Sequence, residues 1–203
     1  MEQGPIASAK IVCVSANPAM DRRVYVDMLI PGEVNRGRNP LAMPGGKAAH
    51  VAMAARSLGI EANWIGFLGG AIGEQVEEDL RKLTIDVDPI RTAASTRVNL
   101  EIIENSGKIT EVLEPGGNIS PKEQTELLCL YSQNLSEKWK GALVAISGSL
   151  PPGVLGSFCG ALIDIARKAG SAVFLDTSGD ALKAGLAARP DFVKPNRKEA
   201  EVL

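Results

Sequence analysis

A glycine pair and a lysine stand immediately before a predicted helix. Pro44-Gly45-Gly46-Lys47 leads directly into an apolar helical run that begins at Ala48. At such a turn, backbone amides and the positive end of the helix dipole converge, which suits an anion or sugar hydroxyls. A simple strand-to-helix turn uses the same residues. The pattern is neither the GxxxxGK[ST] of a Walker loop nor the GxGxxG of a dinucleotide fingerprint, so phosphate binding here would need another chemistry.

Two further groups of polar residues lie near the ends of later predicted elements. Asn196 is a candidate helix N-cap with Glu199 at the third helical position, the spacing of a capping box. Asp176 ends a predicted strand, where a carboxylate could assist magnesium or cap the next helix. The residues alone leave both alternatives open.

Short β-branched runs alternate with amphipathic helical runs along most of the chain. Ser120-Pro121-Lys122-Glu123 combines a capping serine, a proline and a glutamate, which marks the start of one helix clearly. The predicted strands are Ile11–Ser15, Ala62–Phe67, Leu143–Ser147 and Ala172–Asp176, and the predicted helices are Ala48–Leu58, Glu74–Leu83, Pro121–Leu135 and Ser157–Ala169. This alternation predicts an α/β fold with a parallel sheet between helices.

Two regions interrupt the alternation. Val24–Met43 and Thr96–Leu113 contain strand-like runs joined by turn residues, including Asn105-Ser106-Gly107. They predict hairpins that form a small sheet over one end of the main one. The chain has no internal repeat or long linker, so we expect a single domain over residues 1–203, with lid insertions at about 22–44 and 95–114.

Composition excludes several classes of function. Twenty-two basic and 24 acidic residues give a formal charge of −2, and no run of like charge favours nucleic acid or a membrane surface. No apolar run is long enough to span a bilayer, and Met1 to Lys10 lacks the apolar stretch of a secretory signal. Cys13, Cys129 and Cys159 are odd in number and lie in apolar stretches, so we expect buried thiols in the cytoplasm.

Seven ordered sequence blocks resemble the PfkB, or ribokinase-like, family of carbohydrate kinases. The similarity covers about Ile11 to Leu203 and is greatest to the branch of 1-phosphofructokinases and tagatose-6-phosphate kinases, with the minor 6-phosphofructokinases as near relatives. It implies a Rossmann-type sheet with helices on both faces and a small β-lid. The blocks are NPAMD from Asn17, PGEVNR from Pro31, PGGKAAHVAMAARSLG from Pro44, STRVN from Ser95, SGSLPPG from Ser147, DTSG from Asp176 and VKPNRKE from Val193.

The resemblance also implies roles for individual residues. Asp21 matches the aspartate that binds sugar hydroxyls, while Arg36 and Arg97 match basic positions directed at the phosphate of the substrate. The implied sugar contacts also include Gly45, Gly46, Lys47 and Ser149. In the NxxE block, Lys194 and Asn196 would contact ATP, and Glu199 would order water around Mg²⁺ at the triphosphate. A homodimer through the lid is also considered, and the sequence leaves the oligomeric state open.

His50 departs from the family pattern. The glycine turn of relatives continues GGKGINVA, whereas this chain has Gly45-Gly46-Lys47-Ala48-Ala49-His50-Val51-Ala52. Histidine replaces an asparagine that contacts the sugar in relatives. An imidazole can donate or accept one hydrogen bond there, and it can carry a charge beside a phosphate. Exposure to solvent without any contact to substrate is the alternative.

A second departure concerns the glycine-rich GAGD segment, which does not occur in the 203 residues. In relatives this segment supplies an anion hole and the base that takes the hydroxyl proton. The implied activity is transfer of the ATP γ-phosphoryl group to a phosphorylated ketohexose, with fructose 1-phosphate as first choice and tagatose 6-phosphate or fructose 6-phosphate next. We expect an inactive fragment with an exposed apolar sheet edge; the alternative is a non-catalytic sugar-phosphate-binding remnant.

Overall fold

The computed structural model describes residues 9–201. Most of Met1 to Lys10, the stretch without a signal-like run, lies outside that range, as do the last two residues. The strands are β1 Lys10–Ser15, β2 Ala19–Val26, β3 Arg38–Gly45, β4 Glu61–Leu68, β5 Asp86–Arg91, β6 Arg97–Glu104, β7 Ile109–Leu113, β8 Leu143–Ser147, β9 Val173–Asp176 and β10 Phe192–Val193. The helices are α1 Lys47–Ser57, α2 Gly70–Lys82, α3 Pro121–Ser136, α4 Ser157–Lys168, α5 Gly179–Ala187 and α6 Arg197–Ala200.

The larger sheet has the order β10-β9-β8-β1-β4-β5, and its strands pair in parallel throughout. Successive residues of β1 face opposite sides, as the pleat of a strand requires. Val12 and Val14 belong to the core beneath α3 and α4, while Cys13 belongs to the core beneath α1 and α2. The predicted parallel sheet with helices on both faces is therefore confirmed.

The smaller sheet has the order β3-β2-β6-β7. Its outer pairs, β2 with β3 and β6 with β7, are antiparallel, as expected of the two predicted hairpins. Its central pair, β2 with β6, is parallel and aligns Ala19–Val26 with Arg97–Glu104. Because β2 begins only four residues after β1 ends, the smaller sheet stands at the carboxyl end of the larger one.

Capping explains the helix boundaries that the sequence predicted well. Ser120 Oγ accepts a hydrogen bond from the Glu123 amide, and Glu123 Oε2 accepts one from the Ser120 amide at 2.7 Å. Helix α2 instead begins at Gly70, one turn before the predicted Glu74, with Gly69 at its N-cap and without a side-chain cap. Its first turn, Gly70-Ala71-Ile72-Gly73, carries no capping signal that sequence reasoning could use.

The prediction of three buried thiols was wrong for one of them. Cys129 is exposed on α3, because the buried stripe of that helix is formed by Leu127, Tyr131 and Leu135. Cys13 and Cys159 are buried as predicted, and burial raises the pKa of their thiols to about 12 and about 11. Residues 9–201 contain no helix long and apolar enough to cross a membrane.

The larger sheet has an uncovered apolar face beside α1, near its β10 edge. The rings of Phe174 and Phe192 stack there with centroids 4.4 Å apart and are 39% and 55% exposed. They belong to a cavity of about 550 Å³ whose walls are mainly apolar. The sequence predicted an exposed apolar edge; in residues 9–201 the exposed apolar surface is instead a face of the sheet, next to that edge.

Candidate functional site

A cavity of about 340 Å³ lies between the carboxyl end of the larger sheet and the smaller sheet. The carboxyl ends of parallel strands are where α/β proteins bind ligands. Chain segments that follow β1, β3, β8 and β9 meet strands β2, β6 and β7 there. Its lining residues are Asn17, Asp21, Gly46, Lys47, His50, Arg97, Asn99, Glu101, Glu111, Leu113, Gly148, Ser149 and Ser178.

Asp21 is the most deeply buried acid of this cavity. Its Oδ1 accepts a hydrogen bond from Asn99 Nδ2 at 2.8 Å, and its Oδ2 lies 3.1 Å from His50 Nε2. Burial raises the pKa of the Asp21 carboxyl, but the hydrogen bonds from His50 and Asn99 outweigh burial and hold the pKa below its ordinary value. Asp21 is therefore an ionised acceptor at neutral pH.

Gly45 packs directly against the Asp21 carboxylate. A Cβ atom at this position would overlap the Asp21 carboxylate and would lie 2.7 Å from Oδ2. Gly46, the next residue, has a φ of 83°, a left-handed conformation that favours glycine, and it is the N-cap of α1. The two glycines are thus required for different reasons: Gly45 leaves room for the Asp21 carboxylate, and Gly46 allows the turn into α1.

His50 is about half exposed and faces Asp21 across the cavity wall. The hydrogen bond to Asp21 raises the pKa of the imidazole above its ordinary value, against the opposing effect of partial burial. Arg23 and Glu101, which form an ion pair at 2.5 Å, lie close enough to act on His50 with opposite signs. His50 therefore lies beside the glycine turn as predicted, and its hydrogen-bond partner is the Asp21 carboxylate.

Arg97 presents a guanidinium that backbone carbonyls hold in place. One terminal nitrogen donates to Glu114 O at 2.7 Å and the other to Asn17 O at 3.1 Å. Among residues 9–201, no carboxylate forms an ion pair with it, and its buried Nε has no hydrogen-bond partner. Burial lowers the pKa of Arg97, yet guanidinium stays charged at neutral pH. A positive charge held in this way is suited to an incoming anion.

Ser149 is fixed at the edge of the cavity by contacts across the site. Asn17 Nδ2 donates to Ser149 Oγ at 3.1 Å and to Pro115 O at 3.1 Å. Thr177, which is buried, donates to Gly148 O at 2.8 Å and holds the turn that carries Ser149. Ser149 is exposed and its hydroxyl faces the same space as Arg97.

Asp176 binds two lysines from different parts of the chain. Its Oδ1 lies 2.7 Å from Lys47 Nζ and its Oδ2 3.1 Å from Lys194 Nζ. Burial raises the pKa of Asp176, but its hydrogen bonds with both lysines outweigh burial and lower the pKa. Of the two roles left open above, capping is not observed, because Ser178 is the N-cap of α5 and no side chain caps that helix.

The capping box predicted around α6 is present. Glu199 N donates to Asn196 Oδ1 at 2.9 Å, and Asn196 N donates to Glu199 Oε2 at 2.7 Å. Lys194, Asn196 and Glu199 lie outside the lining of the cavity and beyond β10. Asn196 and Glu199 thus have a structural role as the cap of α6. The second carboxylate oxygen of Glu199 has no hydrogen bond from residues 9–201.

The cavity gathers Asp21, Gly46, Lys47, His50, Arg97 and Ser149 from the predicted substrate contacts. Arg36 is not among its lining residues, because it lies exposed in the loop between β2 and β3. Sequence reasoning missed Asn17 and Asn99, which orient Ser149 and Asp21. Both belong to the quoted blocks, but only the parallel pairing of β2 with β6 shows that Asn99 stands opposite Asp21.

Curated proteins of similar sequence are sugar-phosphate kinases. The chain is 34% identical over 196 residues to the ATP-dependent 6-phosphofructokinase isozyme 2 of Escherichia coli K12. It is 30% identical over 186 residues to the D-tagatose-1-phosphate kinase of Klebsiella oxytoca and 32% identical over 190 residues to the 1-phosphofructokinase of Vibrio cholerae. These alignments cover 96%, 92% and 94% of this chain, but the chain spans only 62%, 60% and 59% of those relatives.

Solved structures give the same result for the fold. Phosphofructokinase-2 from Escherichia coli in complex with substrates and products superimposes with a TM-score of 0.87 at 32% identity, over 97% of this chain and 63% of that one. A possible 1-phosphofructokinase from Thermotoga maritima superimposes with a TM-score of 0.85 at 30% identity, over 93% and 61%. A family model described as pfkB family carbohydrate kinase matches residues 8–203. The chain therefore belongs to the pfkB family of carbohydrate kinases.

Proposed function

We propose that the cavity binds a phosphorylated ketohexose and that the whole protein transfers the γ-phosphoryl group of ATP to one of its hydroxyls. The observation that carries this proposal is the pairing, in one cavity, of the buried Asp21 carboxylate with the Arg97 guanidinium. The carboxylate accepts hydrogen bonds from hydroxyls, and the guanidinium binds a phosphate. Fructose 1-phosphate is the first choice of acceptor, followed by tagatose 6-phosphate and fructose 6-phosphate.

The remaining residues of the cavity have supporting roles in this proposal. The backbone amides beyond Gly46 and the hydroxyl of Ser149 contact the sugar or its phosphate. Lys47 adds positive charge, although Asp176 neutralises part of it. Arg36, which is exposed in the loop between β2 and β3, would reach a phosphate from a displaced loop or from a second copy, and the second case fits a homodimer through the smaller sheet as lid. A tetrameric form is described for phosphofructokinase-2 of Escherichia coli.

The nucleotide would lie on the β9–β10 side of the cavity, where Lys194 and Asn196 are the proposed ATP contacts. Glu199 would act on Mg²⁺ through water with its second carboxylate oxygen, while the nucleotide phosphates themselves supply most of the ligands. Among residues 9–201, no cluster of three acidic, histidine or cysteine side chains could hold a metal ion without them. Bound magnesium neutralises charge on the phosphates during transfer. Asp176 links Lys194 to Lys47, so both lysines would be available to the nucleotide phosphates.

The extent of the match bears on activity. The chain spans about 60% of the length of its relatives, and the 203 residues contain no GAGD segment. We therefore propose a single, incomplete kinase domain with lids at about 22–44 and 95–114, which is inactive alone. The alternative is a sugar-phosphate-binding remnant, which the same cavity would support. The unpaired thiols and the metabolites involved suit the cytoplasm as its location.

Calorimetric titration of the 203-residue protein tests the acceptor class directly. Fructose 1-phosphate, fructose 6-phosphate and tagatose 6-phosphate are titrated beside free fructose and inorganic phosphate. We expect at least one ketohexose phosphate to bind more than tenfold tighter than either control, because both Asp21 and Arg97 are then engaged. Equal affinity for free fructose and the sugar phosphates would contradict the proposal.

A further inference from the structure

The chain contains a single histidine, and its hydrogen bond defines which nitrogen can titrate. His50 Nε2 lies 3.1 Å from Asp21 Oδ2, and an ionised carboxylate can only accept hydrogen bonds. Nε2 therefore carries a proton in both charge states, and the proton that comes and goes is the one on Nδ1. The imidazole can change its charge without breaking its bond to Asp21.

The charged groups around this pair come from every element that borders it. Asp21 and Arg23 belong to β2, Arg97 and Glu101 to β6, Glu111 to β7 and Lys47 to the first turn of α1. Arg23 is bound to Glu101 and Lys47 to Asp176, so their charges are partly neutralised. Asp21 and Glu111 remain as negative groups on the cavity side, with Arg97 as the positive one. With a neutral His50 these groups carry one net negative charge, and protonation of His50 cancels it.

We propose that binding of a phosphorylated sugar in this cavity is coupled to uptake of one proton from solvent by Nδ1 of His50. The inference rests on the proposed acceptor class. A phosphate dianion brings two negative charges into a cavity that His50 borders, and this favours imidazolium over imidazole. Binding free energies are reciprocal, so the protonated protein must bind the sugar phosphate more tightly by the same factor.

The coupling has two measurable consequences. Free fructose, which also reaches Asp21 but carries no charge, should leave the His50 titration nearly unchanged. A ketohexose phosphate should raise the titration midpoint of His50 by about one pKa unit, which corresponds to about tenfold tighter binding to the protonated form. Affinities are compared at and above about pH 6.5, where the phosphate is mostly dianionic because its second pKa is near 6.

Proton nuclear magnetic resonance of the 203-residue protein provides the test, because one histidine gives one imidazole titration without assignment by mutagenesis. The Hε1 shift is followed between pH 5.5 and 8.5 without ligand, with fructose and with saturating fructose 1-phosphate. Backbone amide spectra of the same samples report whether ligand is bound. In calorimetry, His50→Asn should lose the rise in affinity between pH 7.5 and 6.5, whatever its absolute affinity.

The outcomes separate the coupling from the proposed function. If amide signals show saturation by fructose 1-phosphate while the imidazole midpoint stays where it was, the coupling is refuted and the acceptor class survives. If neither fructose 1-phosphate nor the 6-phosphates changes any amide signal, the proposed acceptor class fails and the coupling fails with it. In Asp21→Asn the midpoint without ligand should fall toward 6.5, which identifies the pair independently of any sugar. Parallel affinity profiles for wild type and His50→Asn would also refute the coupling.

Discussion

Lys47, at the first position of α1, and Asp176, at the last position of β9, form an ion pair at 2.7 Å across 129 residues of sequence. The other oxygen of the carboxylate binds Lys194. One acid therefore connects the helix that borders the proposed sugar site with the segment proposed to contact nucleotide. Asp176 lies at the carboxyl end of the sheet. Without its charge, Lys47 and Lys194 would repel each other there.

Replacing this acid should destabilise the protein in a pH-dependent way. Asp176→Asn is expected to lower the free energy of unfolding at pH 7 by about 1 kcal/mol, the sum of two partly exposed ion pairs. The pKa of Asp176 is lowered in the folded protein, so its contribution is complete above the ordinary value of 3.8 and is lost as pH falls through the folded pKa. Urea unfolding at pH 7 and pH 3 measures both. Asp164→Asn, on the exposed face of α4, is the matched control; an equal loss at both pH values would contradict the assignment.

The contact between Gly45 and Asp21 gives a second prediction. Gly45→Ala places a Cβ against the carboxylate, so Asp21 must shift away from His50 and Asn99. We expect a loss of about 1–3 kcal/mol in unfolding free energy, typical of overpacking, and a fall in the imidazole titration midpoint. Gly160→Ala in α4 is the control, because its nearest neighbour is 3.7 Å away. Equal behaviour of the two variants would show that Gly45 is not packed against the acid.

Arg97 should determine affinity for the phosphate of the ligand. Charge-assisted hydrogen bonds contribute about 1.5–3 kcal/mol each, so Arg97→Ala should weaken binding of fructose 1-phosphate by roughly 10- to 100-fold, with little effect on free fructose. Arg97→Lys should recover only part of the loss, because a lysine cannot bind bidentately. Arg22→Ala, on the same sheet and outside the cavity, should bind normally. Calorimetry at constant pH provides the comparison, and a similar loss for both sugars would argue for a merely structural role.

The uncovered sheet face beside α1 should govern self-association. Phe174→Ser combined with Phe192→Ser removes the stacked pair, both of whose rings are exposed. We expect weaker binding of an apolar dye and less light scattering at high concentration, because large exposed apolar patches favour association. Leu58→Ser is a control for a single exposed apolar residue at the end of α1. Light scattering equal to that of the wild type in the double variant would show that another surface causes the self-association.

Completion of the domain should produce the transferase. The 203-residue protein should show no ATP-dependent turnover of a ketohexose phosphate above background in a coupled ADP assay. A fusion of residues 1–203 to the C-terminal segment of a relative, including its GAGD sequence, should show turnover that requires Mg²⁺. The same fusion carrying Asp21→Ala serves as the control and should be inactive. Turnover by the unfused chain that Asp21→Ala abolishes would contradict the proposed incompleteness.

The sequence predicted four of the six strands of the larger sheet, β1, β4, β8 and β9, because their local signals were strong, but it did not predict β5 and β10. Ser120 and Glu123 fixed the start of α3, and β-branched runs marked β1, β8 and β9. The smaller sheet was predicted only as two hairpins, because the parallel pairing of β2 with β6 joins segments 78 residues apart and has no local signature. Asn99 therefore remained unnoticed as the partner of Asp21.

The same limit applies to charges in the site. The resemblance indicated Asp21, Arg97 and His50 individually, yet only the fold shows that His50 hydrogen-bonds to Asp21 and that Arg97 has carbonyl partners. For Asp176 the sequence left a magnesium role and a helix cap open; the cap is not observed, and the contacts of Asp176 with two lysines, one of which follows it by 18 residues, were not predicted. The sequence identified individual residues of the site, but it did not show which of them contact each other.

The long separation between partners in the cavity sets an order of events during synthesis. Asn17 donates a hydrogen bond to Ser149, 132 residues later in the sequence, and Lys47 forms its ion pair with Asp176, 129 residues later. At roughly 5–20 residues per second, a ribosome takes about 7–26 s to deliver Ser149 after Asn17 has emerged. Asp21 can find His50 and Asn99 earlier, but Asn17 lacks Ser149 until then, and strand β2 cannot complete its pairing before β6 has been synthesised. The cavity of the nascent chain therefore stays incomplete until the residues up to Asp176 have been synthesised.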